Sequence, residues 1–303
     1  MTTEDIWKWS FEICGIKAYH NKGFKGQGIT IINHENNSGH SAMTTNMLKR
    51  VAPEAKIINA NVTQTTSAEK LYSYNWKIDG ITYTFEDMLA KFKPDIISVS
   101  FSGKPCKERD EMLKKHIDNG DFIMCCATGN DGAEGVNGIY RNVALNIGAC
   151  FFCNSKSNIK LMPYSSRDKD KLTVDYVGFM GDGSGTSNAT PFVAGQIALF
   201  MCRYGKLSQN EFKRKIQPFC VDFGDVGRDY KYGDGLIVLS EELKIMDFKD
   251  VEPNRWSKSA IDWAAKNKII TGFEDCTFRP EQNVTREQLC AVLKRFYDEL
   301  RKD

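Results

Sequence analysis

The chain has 303 residues, 41% hydrophobic and 26% charged, enough for one large domain and a small one, or two of medium size, with a sizeable core. Its 41 basic and 39 acidic residues leave a formal charge of +2, so nothing electrostatic points to nucleic acid or to a membrane surface. No apolar run approaches ~18 residues, which argues against a transmembrane helix. The opening MTTEDIWKWSFEICG has acids where a signal peptide needs a basic flank, and it lacks an apolar centre. Cytoplasmic synthesis is therefore expected, with the ten cysteines as free thiols.

Two compositional regimes are expected to form two domains, 1–240 and 241–303. The first alternates short apolar runs with helical patterns, the mark of an α/β domain. GITII (28–32), AKIINANV (55–62), DIISVSF (95–101), FIMCCAT (122–128) and VALNIGACFF (143–152) read as buried strands bounded by Gly, Asn or Asp. SAMTTNMLKRV (41–51), FEDMLAKF (85–92) and DEMLKKHID (110–118) have helical spacing between them. The segment 70–85 alternates around Asp79–Gly80 and reads as a hairpin. Residues 192–203 are apolar nearly all round, as in a central buried helix.

The cysteines do not make a metal site. Cys150 and Cys153 form a C-x-x-C, but zinc would need a second pair or nearby histidines, and the chain has four His in all. Their apolar flanks read as a buried strand end. No cofactor and no metal are expected.

The chemistry concentrates at GTSNATPFVAGQIALF, residues 185–200. Ser187 follows two small residues and opens a long helix, with Pro191 expected in its first turn. A hydroxyl there sits at the positive end of the helix dipole, beside unpaired backbone N–H groups. Those are conditions for a nucleophile with an oxyanion site, although a serine before a helix is by itself usually only a cap. The wider string decides between the two, because it resembles the nucleophile motif of the subtilisin-like serine proteases, GTS-x-ATP-x-VAG, at every fixed position.

The resemblance continues upstream in order and covers most of residues 8–240. VAPEAKI (51–57) resembles the segment after the family's catalytic-histidine helix, and DIISVSFSG (95–103) its substrate-binding strand. CCATGNDG (125–132) resembles the oxyanion-hole segment and maps its asparagine onto Asn130; 224–237 resembles the closing segment. The family implies a three-layer α/β fold with a mostly parallel central sheet. It implies Ser187 as nucleophile, and Ser100, Phe101, Ser102, Gly103, Thr128 and Gly129 along the substrate. By position, in SGHSAMTTNML, it implies His40 as general base, with His34 as the competitor. The third member is open. Counted without a gap from the glycines of GQGITIINHE, the family's Asp position falls on Glu35; a strand ending earlier would put Asn33 there, and an amide holds the wrong imidazole tautomer.

The departures carry information too. Four residues separate Glu35 from His40, where the family has a longer insertion, and the loop that holds calcium in many relatives is missing. No calcium is expected at that position. Ser102 replaces a glycine and narrows the groove for the residue before the scissile bond. No folding pro-segment is expected ahead of the domain.

The second regime, FKDVEPNRWSKSAIDWAAKNKIITGFEDCTFRPEQNVTREQ, contains helical patterns at 257–267 and 285–298, with Thr285 and Gln288 as a capping box for the second. It resembles an S-layer homology module, in which Cys276 stands at a turn glycine. Family modules bind acidic, pyruvylated cell-wall polysaccharide, which implies Arg286 for a carboxylate and Trp256 for stacking on sugar, against a solvated Arg and a buried structural Trp. One copy is too small for a full core, so association between chains, as a trimer for instance, is the alternative use.

The combined expectation is a serine endopeptidase acting on polypeptide, made in the cytoplasm and associated with the cell envelope after release. The competing reading is an inactive subtilase-like domain that binds peptides or proteins.

Overall fold

Period-two alternation in the strands sorts side chains onto two faces of one sheet. Ile31, Ile96, Ile123, Cys125, Leu145 and Ile147 belong to one buried cluster, while Ile32, Ile97, Val99, Met124 and Cys126 belong to the other. The computed structural model describes residues 2–35, 38–63, 75–104, 106–153, 158–181, 183–225, 227–239, 248–252, 255–266, 269–273 and 277–300.

Among these residues the strands are β1 (Thr30–Glu35), β2 (Lys56–Thr63), β3 (Asn75–Ile78), β4 (Ile81–Tyr83), β5 (Ile96–Val99), β6 (Ile123–Ala127), β7 (Leu145–Phe152), β8 (Ile159–Leu161), β9 (Tyr176–Phe179), β10 (Cys220–Val221) and β11 (Leu236–Ile237). The helices are α1 (Thr3–Ile13), α2 (Ile16–Asn21), α3 (Ser38–Val51), α4 (Phe85–Phe92), α5 (Lys107–Asn119), α6 (Thr186–Tyr204), α7 (Gln209–Ile216), α8 (Lys258–Lys266) and α9 (Arg286–Leu300).

The sheet runs β10-β11-β9-β7-β6-β5-β1-β2-β3-β4, with β8 paired to β7. Its centre is parallel, and hairpin-type pairs close its edges, including β3–β4 around Asp79–Gly80. This is the three-layer α/β architecture expected. The α1, α2, α3, α6 and α7 side chains cover one face, and those of α4 and α5 cover the other. Chain order reverses at β1, which lies between β2 and β5. In parallel α/β sheets ligands gather outside the carboxyl ends of the strands at such a switch point.

Helix α6 is buried at almost every position from Thr186 to Met201. It lies close on α3 because Gly195 faces Val51: a Cβ there would come within 2.7 Å of the Val51 Cβ. Pro191 falls in the second turn of α6, one turn deeper than expected, since the helix already starts at Thr186. Proline has no N–H to give, so the Ser187 carbonyl is left without its usual partner in the ladder.

Helices α1 and α2 are not among the expected elements. A capping box between Thr2 and Asp5 starts α1, and Trp7, Ile16 and Tyr19 join the core. The cysteines of the C-x-x-C sit at the end of β7, Cys150 buried and Cys153 half-buried.

In the C-terminal region, Phe248, Val251 and Ile261 form a small cluster with Ala265 and Phe278. The Asp250 carboxylate accepts the N–H groups of Phe278 (2.8 Å) and Arg279 (2.7 Å), which ties the start of the region to its turn. Thr285 and Gln288 exchange capping bonds of 2.9 and 3.1 Å at the start of α9. Cys276 lies outside the described residues. Among the described residues no helix is long and apolar enough to cross a membrane.

Candidate active site

The alternation of β1 separates its polar residues. His34 turns to the α4–α5 side, where its ring stacks on Trp76 with centroids 3.7 Å apart and its Nδ1 meets the Ala60 carbonyl at 3.2 Å. Burial pushes its imidazole down to about 3, so it is neutral at any ordinary pH and remote in character from a proton shuttle. Asn33 and Glu35 turn to the α3 side. The Asn33 amide nitrogen lies 2.9 Å from Thr44 Oγ1, 3.0 Å from Asn59 Oδ1 and 3.1 Å from Thr45 Oγ1, which occupies its two N–H groups in tying β1 to α3 and β2.

Glu35 is the last residue of β1 and is fully buried. Its Oε2 lies 2.8 Å from Nδ1 of His40, the third residue of α3. Because β1 stays in register through Glu35, paired with Asn61, the strand ends late enough to present the carboxylate and not the Asn33 amide. The hydrogen bond to Glu35, followed by its charge, raises the His40 pKa above the ordinary histidine value, against the effect of burial. An Nδ1–H held by carboxylate leaves the lone pair on Nε2.

Ser187 is the second residue of α6 and is half-buried. Asn130 reaches it from the loop after β6. The Asn130 Oδ1 accepts the Thr186 N–H at 2.9 Å, and since that N–H needs an oxygen, the amide Nδ2 is turned outward. A Cβ on Gly185 would lie 3.1 Å from Ser187 Oγ and 3.3 Å from Asn130 Nδ2, so hydroxyl and amide border the same gap.

Further contacts sew the two loops together. Thr186 Oγ1 accepts from the Gly129 N–H at 3.0 Å, and Ser166 Oγ accepts from Asp131 N–H at 2.9 Å. Tyr164 Oη accepts the Gly185 N–H at 2.8 Å and donates to Met180 Sδ, also at 2.8 Å. Thr186, Tyr164 and Ser166 are residues that sequence reasoning missed. Their contacts span 16 to 57 positions, beyond any local spacing pattern.

The predicted substrate strand, 95–103, contains β5, and its named substrate residues Ser100–Gly103 follow β5 directly. Ser100 and Phe101 are buried, Ser102 is exposed, and Ser102 bridges to Gly138 in antiparallel fashion. Thr128 is buried and Gly129 adopts φ +106°, between the strand and Asn130. Trp256 and Arg286 lie elsewhere, in the C-terminal region. Trp256 is 89% exposed, which removes the buried structural reading, and Arg286 is exposed at the start of α9.

A family model described as the subtilase family matches residues 28–235. The chain belongs to the subtilase family. A second model, the S-layer homology domain, matches residues 247–290. This subtilase is 32% identical over 213 residues to an intracellular serine protease of Paenibacillus polymyxa, across 64% of this chain and 58% of that one. It is 27% identical over 219 residues to the major intracellular serine protease of Bacillus subtilis, across 66% and 60%. It thus spans little more than half the length of these relatives. Over 68 residues it is 35% identical to the outer membrane protein SlpA of Thermus thermophilus, across 22% of this chain and 7% of that one. Its fold is shared with a lanthipeptide protease of known crystal structure, at a TM-score of 0.56 and 15% identity, across 80% of this chain and 97% of that chain.

Proposed function

We propose that this subtilase is a serine endopeptidase with Ser187 as nucleophile, His40 as general base, Glu35 as the acid that orients it and Asn130 as oxyanion donor. The observation that carries the reading is the 2.8 Å contact between buried Glu35, at the end of β1, and His40 near the start of α3. His40 takes the proton from Ser187 Oγ as that oxygen adds to the peptide carbonyl. Charge on the carbonyl oxygen is met by Asn130 Nδ2 and the Ser187 N–H. Collapse breaks the C–N bond, the amine leaves with the proton held by His40, and water then releases the acyl group by the same steps.

A fluorophosphonate probe followed by peptide mapping tests this. Labelling is expected at Ser187 and absent in Ser187→Ala. A folded wild-type chain that stays unlabelled would instead fit the inactive, peptide-binding domain.

For residues 241–303 we infer attachment to acidic cell-wall polysaccharide in the envelope, supported by the S-layer homology match and by the exposure of Trp256 and Arg286. Self-association is the second use. Leu289, Leu293 and Phe296 stand on one face of α9 at helical spacing and are 51%, 56% and 40% exposed. Sedimentation should give the intact chain more than the monomer mass, and a Leu289→Lys, Leu293→Lys chain the monomer mass. A monomeric intact chain ends this use of the face.

A further inference from the structure

On the peptidase reading, the carbonyl under attack lies between Ser187 and Asn130, and the peptide ahead of it runs along Ser100–Gly103. The side chain of the residue before the scissile bond then enters the slot between that strand and the turn Thr128–Gly129. What lies at the far end of that slot sets how large this side chain can be.

The end is occupied by Asn137. Its backbone joins the two walls: the Asn137 N–H donates to the Thr128 carbonyl at 2.9 Å, and its carbonyl accepts from the Gly103 N–H at 3.1 Å. Its side chain lies across the gap between them. Asn137 Oδ1 accepts from Ser102 Oγ at 2.7 Å, and Asn137 Nδ2 donates to the Asp131 carboxylate. The carboxamide thus has a partner on each wall and is fixed in orientation. It also sits directly against Gly129. A Cβ on Gly129 would fall 1.9 Å from Asn137 Oδ1, so the carboxamide packs directly on the backbone of this turn. Asn137 also forms part of the wall of an open pocket of about 420 Å³, together with Asp131, Arg141, Asp168 and Lys171.

We propose that Asn137, clamped by Ser102 and Asp131, closes the slot for the residue before the scissile bond, so that this subtilase cleaves after glycine, alanine or serine and rejects bulky side chains. This rests on the peptidase reading and assigns its substrate class. The clamp explains why the rejection is strong. A loose asparagine could swing aside, but here the move breaks two hydrogen bonds, one of them to a carboxylate. Ser102 contributes twice, through its own side chain in the groove and through its hold on Asn137.

The test uses the full chain and two internally quenched peptides, identical except for Ala or Phe before the cleaved bond, with the cleavage point read by mass spectrometry. Fluorophosphonate titration of Ser187 gives the concentration of competent sites in each variant. The wild type should favour the Ala peptide in kcat/KM by about tenfold or more. Asn137→Ala removes the carboxamide from the slot and should shift the Phe-to-Ala ratio upward by about 10–100-fold, within the range that one methylene commands in an enclosed apolar site. Ser102→Ala, which keeps the asparagine but removes one clamp, should shift the ratio in the same direction by less. A wild type that cleaves equally after Phe, or an Asn137→Ala chain that labels at Ser187 with its ratio unchanged, overturns the proposal. An unlabelled folded wild type overturns the peptidase reading, and this inference with it.

Discussion

Glu35→Gln should lower turnover by about 10⁴-fold while leaving the fold and substrate binding largely in place. Glutamine matches glutamate in length, so it can still reach His40. Its amide, however, can donate to Nδ1 as readily as accept from it. The imidazole then carries its proton on Nε2, where the lone pair is needed to deprotonate Ser187, and the imidazolium formed in the transition state has no carboxylate beside it. The pH profile supplies an independent readout. On the proposed mechanism His40 acts as base only when neutral, so kcat/KM should rise with pH through the His40 pKa. In the wild type the Glu35 hydrogen bond and charge hold that pKa above the ordinary histidine value, which places the acid limb higher. In Glu35→Gln the charge goes and the hydrogen bond no longer favours the imidazolium over the neutral ring, while burial remains, so the limb should move to lower pH as the plateau falls. Equal plateaus for the two chains would remove Glu35 from the site. The glutamine variant isolates this effect better than His40→Ala, which would strand a fully buried carboxylate without its hydrogen bond to His40.

With Asn130 as the proposed oxyanion donor, Asn130→Ala should cost about 10²–10³ in kcat with little change in KM, since the amide would meet charge that exists only in the transition state. Asn130 has a second task, however: its Oδ1 accepts the Thr186 N–H at 2.9 Å and so helps to fix the start of α6. Asn130→Asp separates the two. Aspartate keeps an acceptor for Thr186 but has no N–H to give, and it sets a negative charge where negative charge develops. It should be at least as slow as the alanine variant in acylation rate, measured in a single turnover. Recovery of the rate in Asn130→Asp would reduce Asn130 to a structural link between the loops.

Local pattern was enough for much of the fold. The five strands read from short apolar runs all lie in the parallel centre, because burial on both faces demands such runs, while β9, parallel to β7, is not among them. The FEDMLAKF helix occupies the residues its spacing indicated, and Asp79–Gly80 makes the turn between β3 and β4, with both residues at positive φ. The capping pair Thr285–Gln288 forms because it needs only residues three apart. Helices α1 and α2 escaped the reading. Their apolar side chains pack against residues distant in sequence, Phe11 against Phe192 of α6 and Trp9 against Phe152 of β7.

The family was legible in the sequence because its motif is a contiguous string around Ser187, and contiguity survives without any knowledge of packing. The site around that serine was legible only in part. The sequence left Glu35 and Asn33 as alternatives; the length of β1 and its alternation bring Glu35 to His40 and commit Asn33 to Thr44 and Asn59. It left His34 as a competitor, and burial against Trp76 sets that residue aside. It named Ser102 as a narrowing of the groove but held no sign of Asn137, whose contacts reach 35 residues back to Ser102. Residue types and short-range order were therefore determined by the sequence alone. Which of those side chains meet was decided by strand register and by loops closing over long separations, since a hydrogen bond depends on position in space and a linear pattern carries only distance along the chain.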